Sequence, residues 1–429
     1  MGVKGLQTYI ENFCPDACYQ VSIRDLIYTY RRETEREPVI VVDGSSCLRY
    51  LYQGVSDWVL GGQLKEYIEM LKKFVNAFQS AGARLVIYFD GATVERKRPI
   101  WIQRRLRNLQ DVYKIFDCLN KWKRVSYIDQ TLMQLPAGLG GITRFLFKEL
   151  PGCEVRTSIR ECDEEIAEYA RNKQCFAILG QDTDYIIYEG GQYYLSIKDL
   201  NLEKMTTINY NRWALARHVH IYPAQLPLLA TLVGNDIVSP DDLKEFHIDV
   251  CHRPGGKRYN YSSRIRFDIL ISNVAGYIRT LPCGDNLFRV LPGIAHRVFR
   301  DERKAGLLET SIRSYSSDPP REHPVETPSD NWNKLMSMAK KKLIHCEIPP
   351  QLWAIMNCQL YESSTALEDF REHDLPPSAI AFRPLRQRIY GLLLREKPTS
   401  GKAVIVTEWC MHGEESLNNP VLVRPVILQ

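Results

Sequence analysis

The sequence predicts an α/β fold built on a parallel sheet flanked by helices, and two observations support this. Unbroken apolar runs occur at residues 38–42, 85–89 and 176–180, and such runs without alternation are typical of strands buried on both faces. Segments with helical periodicity, such as 64–80 and 162–173, lie between these runs, which is the order expected of βαβ units. A further apolar run at 228–235 is interpreted as one more strand.

Length and local composition divide the chain into four predicted regions. A chain of 429 residues is long enough for two or three domains. The α/β pattern occupies 1–245, and 246–310 forms a helical basic extension that contains Lys257, Arg258, Arg264 and Arg266. Residues 311–333 are rich in Ser, Pro, Glu and Asp and are predicted to be a flexible linker. A smaller C-terminal segment follows at 334–429.

Helices after residue 245 are predicted from the return of apolar periodicity. The predicted segments are 267–280, 292–307, 334–343 and 382–394. Pro384 suits the first turn of the last of these, because the first helical residues need no backbone N–H partner. On this helix, an apolar face of Leu385, Ile389 and Leu392 is consistent either with a partner-binding surface or with packing into the core.

Composition excludes a membrane span and favours a reducing compartment. The chain is 45% hydrophobic and 25% charged, its net charge is +5, and no apolar stretch reaches the roughly 18 residues of a membrane span. Its start shows no signal-peptide pattern. The twelve cysteines are scattered without a C-x-x-C pair, so we expect buried thiols rather than disulfides or a zinc site. We therefore expect an intracellular protein with no membrane partner.

Seven carboxylates stand where a predicted strand ends or a helix begins. They are Asp43, Asp90, Glu161, Asp163, Asp182, Asp184 and Asp236. Ligands of open α/β sheets bind at the carboxyl ends of the strands, so these acids are expected at one edge of the sheet. So many anions repel one another unless cations hold them, and Mg²⁺ prefers oxygen ligands. Each acid alone is explained as well by a turn or a helix cap.

The acids form pairs that suit a two-ion centre for phosphodiester cleavage. Glu161 and Asp163 lie at a helix entry, where both can reach one ion. Asp182 and Asp184, two residues apart after a strand, are expected on one side of an extended backbone, where they supply a second ion. Two such ions activate a water molecule and stabilise the leaving oxygen.

A basic, aromatic segment follows Asp90. Lys97 and Arg104 are seven residues apart, which on a helix returns nearly to the same face, so both are candidates to contact a scissile phosphate. Neighbouring candidates for nucleic-acid binding are Arg96, Arg98, Trp101, Arg105 and Arg107, with Trp101 as a stacking surface. An ordinary exposed basic helix face explains the same spacing.

These motifs resemble the flap-endonuclease (XPG-type) superfamily. The resemblance rests on 1–6, Val42-Asp43-Gly44, Phe89-Asp90-Gly91, Asp182-Thr183-Asp184 and Leu232–Asp236. It implies a PIN-like core and two Mg²⁺ or Mn²⁺ ions. It also implies that Lys97 and Arg104 steer a phosphate. Gly2 is implied to lie near the active site, where it is a further candidate for nucleic-acid binding. The implied ligands of the first ion are Asp43, Asp90, Glu161 and Asp163, and those of the second are Asp182, Asp184 and Asp236.

A closer resemblance covers nearly the whole chain. Residues 47–50, 103–108, 182–185, 383–390 and 408–409 are similar to the constitutive coactivator of peroxisome proliferator-activated receptor gamma family, which is related to asteroid proteins. This resemblance implies nuclear localisation, with cytoplasmic presence also allowed, and a role as coactivator or RNA-associated scaffold. Protein partners such as a nuclear receptor are then expected at 334–429. After Asp236 the chain departs from flap endonucleases, because Ile237–Leu243 replaces their glycine-rich DNA-gripping motif.

Two functions of different class remain open. One is a Mg²⁺-dependent nuclease acting on single-stranded or branched DNA or RNA, which the acids, Lys97 and Arg104 favour. The other is a non-catalytic scaffold that uses the nuclease-like fold for binding, which the coactivator resemblance favours.

Overall fold

A computed structural model describes residues 2–53, 58–252, 266–316, 331–363, 367–398 and 403–426. The predicted basic residues Lys257, Arg258 and Arg264 lie outside this part of the chain. Two compact units make up the fold. Unit 1 contains Met1–Cys47, Asn76–Val86 and Asp163–Arg321, and unit 2 contains Leu48–Val75, Ile87–Cys162 and Glu322–Gln429. No described helix combines the length and apolarity needed to cross a bilayer.

Seven strands form one sheet and three form another among the described residues. The strands are β1 (Cys18–Ser22), β2 (Val39–Asp43), β3 (Arg84–Phe89), β4 (Cys153–Thr157), β5 (Ala177–Gly180), β6 (Tyr193–Ser196), β7 (Thr206–Tyr210), β8 (Leu360–Glu362), β9 (Val406–Trp409) and β10 (Val421–Val423). The larger sheet has the order β1-β7-β6-β5-β2-β3-β4, and the smaller one the order β10-β9-β8. The α/β class with a helix-flanked central sheet is thereby confirmed.

The helices are numbered in chain order. They are α1 (Leu6–Phe13), α2 (Ile23–Thr34), α3 (Gly44–Tyr52), α4 (Leu64–Ser80), α5 (Arg98–Trp122), α6 (Leu139–Glu149), α7 (Cys162–Asn172), α8 (Asp184–Ile187), α9 (Arg212–His218), α10 (Leu226–Val233), α11 (Lys244–Cys251), α12 (Phe267–Ile278), α13 (Asp285–Phe299), α14 (Ala305–Ser314), α15 (Asn331–Ile344), α16 (Pro350–Cys358), α17 (Ser378–Ala381) and α18 (Arg383–Leu393).

The centre of the sheet in unit 1 is parallel, as the apolar runs predicted. β2 pairs in parallel with β5, and Val42 lies opposite Leu179. β5 pairs in parallel with β6, whereas β7 and β1 are added antiparallel at the edge. All four residues of β5 are buried. Since the carboxyl ends of parallel strands meet at one edge, this pairing places Asp43 beside the segment that follows Gly180.

Helix α4 follows the predicted bounds, and its buried face explains why. Tyr67, Leu71, Phe74 and Phe78 recur at helical spacing and are at most 1% exposed. Leu64 is 39% exposed. It is the first residue of the helix.

The apolar run at 228–235 was predicted to be a strand, and this was wrong: most of it belongs to helix α10. Leu226 begins this helix, with Pro227 in the first turn, and the helix packs against α12 and α14. Leu226 and every residue from Leu228 to Val233 are buried. A helix buried on all sides lacks the amphipathic period that distinguishes it from a buried strand. Asp236 therefore follows a helix rather than a strand.

The predicted linker at 311–333 is helical at both ends. α14 continues to Ser314, and α15 begins at Asn331, while 317–330 lies outside the described residues. The predicted helix at 292–307 is instead divided between α13 and α14, and Pro292 lies inside α13.

All twelve cysteines are free thiols. Burial, followed by the charge of Asp43, raises the pKa of the Cys47 thiol.

Candidate metal centre

Three of the predicted ligands in unit 1 form a cluster. One carboxylate oxygen from each of Asp163, Asp182 and Asp184 lies within 4.8 Å of the others. Asp163 comes from the first turn of α7, Asp182 from the turn after β5, and Asp184 from the start of α8. Among the residues that the structure describes, this group does not include Asp43 or Asp236.

The backbone between Asp182 and Asp184 is a tight turn, so the extended geometry predicted for this pair was wrong. The Asp184 backbone N–H donates to Asp182 Oδ1 over 3.1 Å, which folds the chain from β5 directly into α8. Gly2 fits closely against this turn. A Cβ atom at Gly2 would lie 2.2 Å from Asp182 Oδ1, and the φ of Gly2 is +46°. Gly2 thus lies beside Asp182, and its role in nucleic-acid binding stays a prediction.

Burial makes Asp184 difficult to ionise. Its side chain accepts a 2.7 Å hydrogen bond from the Tyr315 hydroxyl at Oδ1. Burial, and then the charge of Asp182, raise the pKa of Asp184 to about 7; the Tyr315 hydrogen bond opposes this shift, and the charge of Asp236 adds to it. Asp236 therefore acts on the cluster through its electric field. A buried carboxylate beside a second, half-buried one is an environment that a divalent cation would stabilise.

Asp43 is held by hydrogen bonds at the start of α3. Its Oδ1 accepts the Ser46 N–H over 2.9 Å, which is the contact of a helix cap. Its Oδ2 lies 3.3 Å from the Tyr185 hydroxyl, and the same hydroxyl lies 2.7 Å from Asp163 Oδ1. Tyr185 thus connects two of the predicted ligands.

Sequence reasoning missed the tyrosines that surround the acids. Tyr185, Tyr194 and Tyr315 direct their hydroxyls to Asp163, the Asp182 carbonyl and Asp184. Tyr185 directly follows Asp184, so its position was a usable signal. Nothing in the sequence pointed to Tyr315, because it follows a helix in the region predicted to be a linker. Asn235 fixes Tyr315 by donating to its hydroxyl over 3.2 Å.

The remaining predicted ligands, Asp90 and Glu161, belong to unit 2. Asp90 is exposed, and its carbonyl accepts a 2.7 Å hydrogen bond from Arg144. Glu161 forms an ion pair with Lys97, and both side chains are largely buried. Lys97 ends a short 3₁₀ turn, and Arg104 lies exposed on α5.

The predicted nucleic-acid contacts on and near α5 fall into two groups. Arg96 and Arg107 are exposed, whereas Trp101 and Arg105 are partly buried, with the Arg105 guanidinium 5.2 Å from the Trp101 ring. Burial lowers the pKa of Arg105.

Arg98 is only 4% exposed, and its position corrects the expectation of a phosphate contact. It forms an ion pair with Glu362, and its guanidinium carbon lies 5.1 Å from the centroid of the Trp409 ring. Arg98 is therefore part of the interior of unit 2.

The chain is similar to coactivator and nuclease proteins. A FAM120A-like domain matches residues 219–319. The constitutive coactivator of peroxisome proliferator-activated receptor gamma of Bos taurus is 30% identical, over 99% of this chain and 70% of its own length. The single-strand DNA endonuclease ASTE1 of Danio rerio is 23% identical, over 94% of this chain and 56% of its own length.

Among solved structures, human GEN1 in complex with Holliday junction DNA has a TM-score of 0.43 and 14% identity, covering 83% of this chain and 76% of that one. The bovine relative decides the family, because the similarity spans nearly the whole chain and more than two thirds of the relative. The chain belongs to the constitutive coactivator of peroxisome proliferator-activated receptor gamma family.

Proposed function

We propose that this coactivator-family protein binds a divalent cation at its acidic cluster and cleaves phosphodiester bonds in single-stranded or branched nucleic acid. The observation that carries the proposal is the convergence of Asp163, Asp182 and Asp184 within 4.8 Å. A zebrafish relative bears the name of a single-strand DNA endonuclease, which supports the same substrate class.

The donor set fits Mg²⁺ or Mn²⁺. Carboxylate oxygens are the hard ligands that these ions prefer. Asp184 is 7% exposed, and its pKa is raised first by this burial and then by the negative charge of Asp182. Asp163, Asp182 and Asp184 would hold the ion. A cation bound there supplies an activated water and stabilisation of the leaving oxygen.

Other residues of the chain would bind and orient the nucleic acid. Arg96, Arg104 and Arg107 are exposed cations suited to phosphate oxygens. Lys97 is held by Glu161, so its ammonium has a fixed position. The two-ion arrangement implied by the superfamily, with Asp43, Asp90, Glu161 and Asp236 as further ligands, stays a prediction.

The test combines cation titration with cleavage. Mn²⁺ binding is measured by calorimetry, and cleavage of labelled single-stranded and flapped DNA and RNA is followed in parallel. Asp182→Asn keeps an oxygen to accept the Asp184 N–H but removes the charge, so the fold is expected to persist while binding and cleavage are lost. Asp242→Asn is the matched control, since Asp242 is exposed and outside the cluster. Undiminished cleavage by Asp182→Asn would refute the proposal.

A second candidate function, protein binding through 334–429, has support from the surface of α18. Leu385 and Leu392 are 56% and 59% exposed, so the interpretation that they pack into the core was wrong. Phe382, which is 60% exposed, and Leu385 line a cavity of about 260 Å³ that also includes Arg386 and Met411. An exposed apolar stripe beside a cavity is typical of a surface that binds another protein.

The relatives' name provides the partner for a direct test. Binding of peroxisome proliferator-activated receptor gamma to the full chain is measured by interferometry. We expect Leu385→Glu combined with Leu392→Glu to reduce affinity at least tenfold. Tyr28→Glu on α2 changes an aromatic residue of unit 1 that is even more exposed, at 69%, and serves as the control. Equal affinity of all three proteins would count against α18 as the contact.

A further inference from the structure

Tyr185 lies between two acids that a two-ion centre would need as ligands. Its hydroxyl is 2.7 Å from Asp163 Oδ1 and 3.3 Å from Asp43 Oδ2, and Tyr185 is 3% exposed. The other oxygen of Asp43 accepts the Ser46 N–H. Both oxygens of Asp43 therefore face hydrogen-bond donors of the protein itself.

The hydroxyl of Tyr185 lies within hydrogen-bond distance of both carboxylates, in the space that an ion shared by Asp43 and Asp163 would take. Mg²⁺ binds oxygen ligands at about 2.0–2.1 Å and tolerates little distortion, so an ion shared by Asp43 and Asp163 needs the space between their carboxylates. A phenol oxygen in this space supplies a hydrogen-bond donor instead of a cation. The described cluster of mutually close acids accordingly includes Asp163 but not Asp43.

The ring of Tyr185 is fixed by its neighbours. Its ring centroid lies 5.5 Å from that of Tyr194 and 6.4 Å from that of Tyr188, and Tyr188 in turn lies 5.1 Å from Tyr315. Tyr194 donates to the Asp182 carbonyl and is buried. The Tyr185 oxygen can move away from the acids only if the ring moves, and that would require repacking of this layer.

We infer that Tyr185 restricts the acidic cluster of unit 1 to a single divalent cation, held by Asp163, Asp182 and Asp184, by replacing a second ion between Asp43 and Asp163. Tyr185 is on this account a positioning residue, which orients Asp163 towards the ion. The inference rests on the proposed cation binding and concerns the number of ions.

The test is a stoichiometry, measured independently of cleavage. Mn²⁺ binding to the full chain is followed by calorimetry, and the electron paramagnetic resonance signal of free Mn²⁺ counts the ions bound. We expect one ion for the wild type and two for Tyr185→Phe, which removes the hydroxyl and keeps the ring. Tyr30→Phe changes a buried tyrosine of unit 1 that lies outside the acidic cluster and donates to the Gln174 backbone carbonyl, and it should keep one ion.

Each outcome is decisive. Two ions on the wild type would overturn the role of Tyr185 while leaving the proposed cation site intact, and this measurement requires no variant to fold. One ion on a folded Tyr185→Phe protein would also overturn it. No ion on the wild type would refute the cation site itself, and with it the function proposed above.

Discussion

Tyr315 and Asp184 are 131 residues apart in the chain, yet the tyrosine hydroxyl donates a 2.7 Å hydrogen bond to the aspartate. Burial, followed by the charge of Asp184, raises the pKa of Tyr315 well above its usual value, so the hydroxyl keeps its proton as a donor. The segment after α14 thereby supports the acidic cluster, and Asn235 supports Tyr315 in the same way.

Replacing Tyr315 with Phe should destabilise the protein and weaken cation binding. The change leaves Asp184 Oδ1 without this buried donor, which costs about 1–3 kcal/mol in the free energy of unfolding. Urea denaturation in EDTA measures this loss, and calorimetry measures Mn²⁺ affinity. Tyr28→Phe, on an exposed side chain, should change stability by less than about 0.5 kcal/mol. Equal stabilities of the two variants would contradict the supporting role of Tyr315.

Stability without divalent cations should fall as pH rises from about 4 to about 7. The pKa of Asp184 is raised from 3.8 to about 7 in the folded protein, so in this range the folded state binds a proton that the unfolded state has released. Stability is therefore greatest below the unfolded pKa and declines through the folded pKa, by about 4 kcal/mol at most.

The comparison that isolates this effect is Asp184→Asn, which cannot titrate. Unfolding free energies in EDTA at several pH values should show a flatter profile for the variant between pH 4 and 7. Saturating Mn²⁺ should restore wild-type stability near pH 7, because the cation takes the place of the proton. Parallel pH profiles for the two proteins would show that Asp184 ionises without difficulty.

Replacing Glu408 should strongly destabilise the protein. It is 1% exposed and accepts hydrogen bonds from Arg383, Arg386 and Tyr390. Glu408→Gln removes the charge that balances two arginines and should cost about 3–5 kcal/mol in unfolding free energy. Glu415→Gln, an exposed acid, is the control, and thermal unfolding followed by circular dichroism compares the two.

The same residue predicts acid sensitivity. Burial opposes ionisation of Glu408, but hydrogen bonds from Arg386, Tyr390 and Arg383 outweigh it and lower its pKa. This contribution to stability is present above the unfolded pKa of about 4.3 and is lost as pH falls through the folded value. We expect the unfolding free energy of the wild type to fall more than that of Glu408→Gln when both are taken from pH 7 to below pH 4. Equal losses for the two proteins would contradict this role of Glu408.

Gly2→Ala should disturb the cation site through sterics alone. The added Cβ would lie 2.2 Å from Asp182 Oδ1, and a φ of +46° is unfavourable for alanine. We expect Mn²⁺ affinity to fall at least tenfold in calorimetry. Gly293→Ala is the matched control, since a Cβ there meets nothing within 4 Å and its helical position favours alanine. Unchanged affinity in Gly2→Ala would mean that the chain start moves without affecting Asp182.

Strands were predicted correctly from the sequence where an unbroken apolar run marks a segment buried on both faces. The run that ends at Asp43 and the one that ends at Gly180 became the parallel strands β2 and β5, and their pairing explains why Asp43 lies beside the turn that follows β5. Sequence reasoning failed at 228–235, where burial on all sides removes the periodicity that separates helix from strand. It could not predict Tyr315, because a hydrogen bond formed across the fold leaves no local pattern.

The internal contacts of unit 2 have a consequence for deletion experiments. Glu362 accepts hydrogen bonds from Thr93 and pairs with Arg98, while Met411 and Leu417 cover Leu109 on α5. A chain shortened before residue 334 would therefore leave a guanidinium in the interior without its carboxylate and expose apolar surface on α5. Loss of function in such a truncation would report unfolding around Lys97 and Arg104. Point substitutions on α18 are the informative way to separate partner recognition from catalysis.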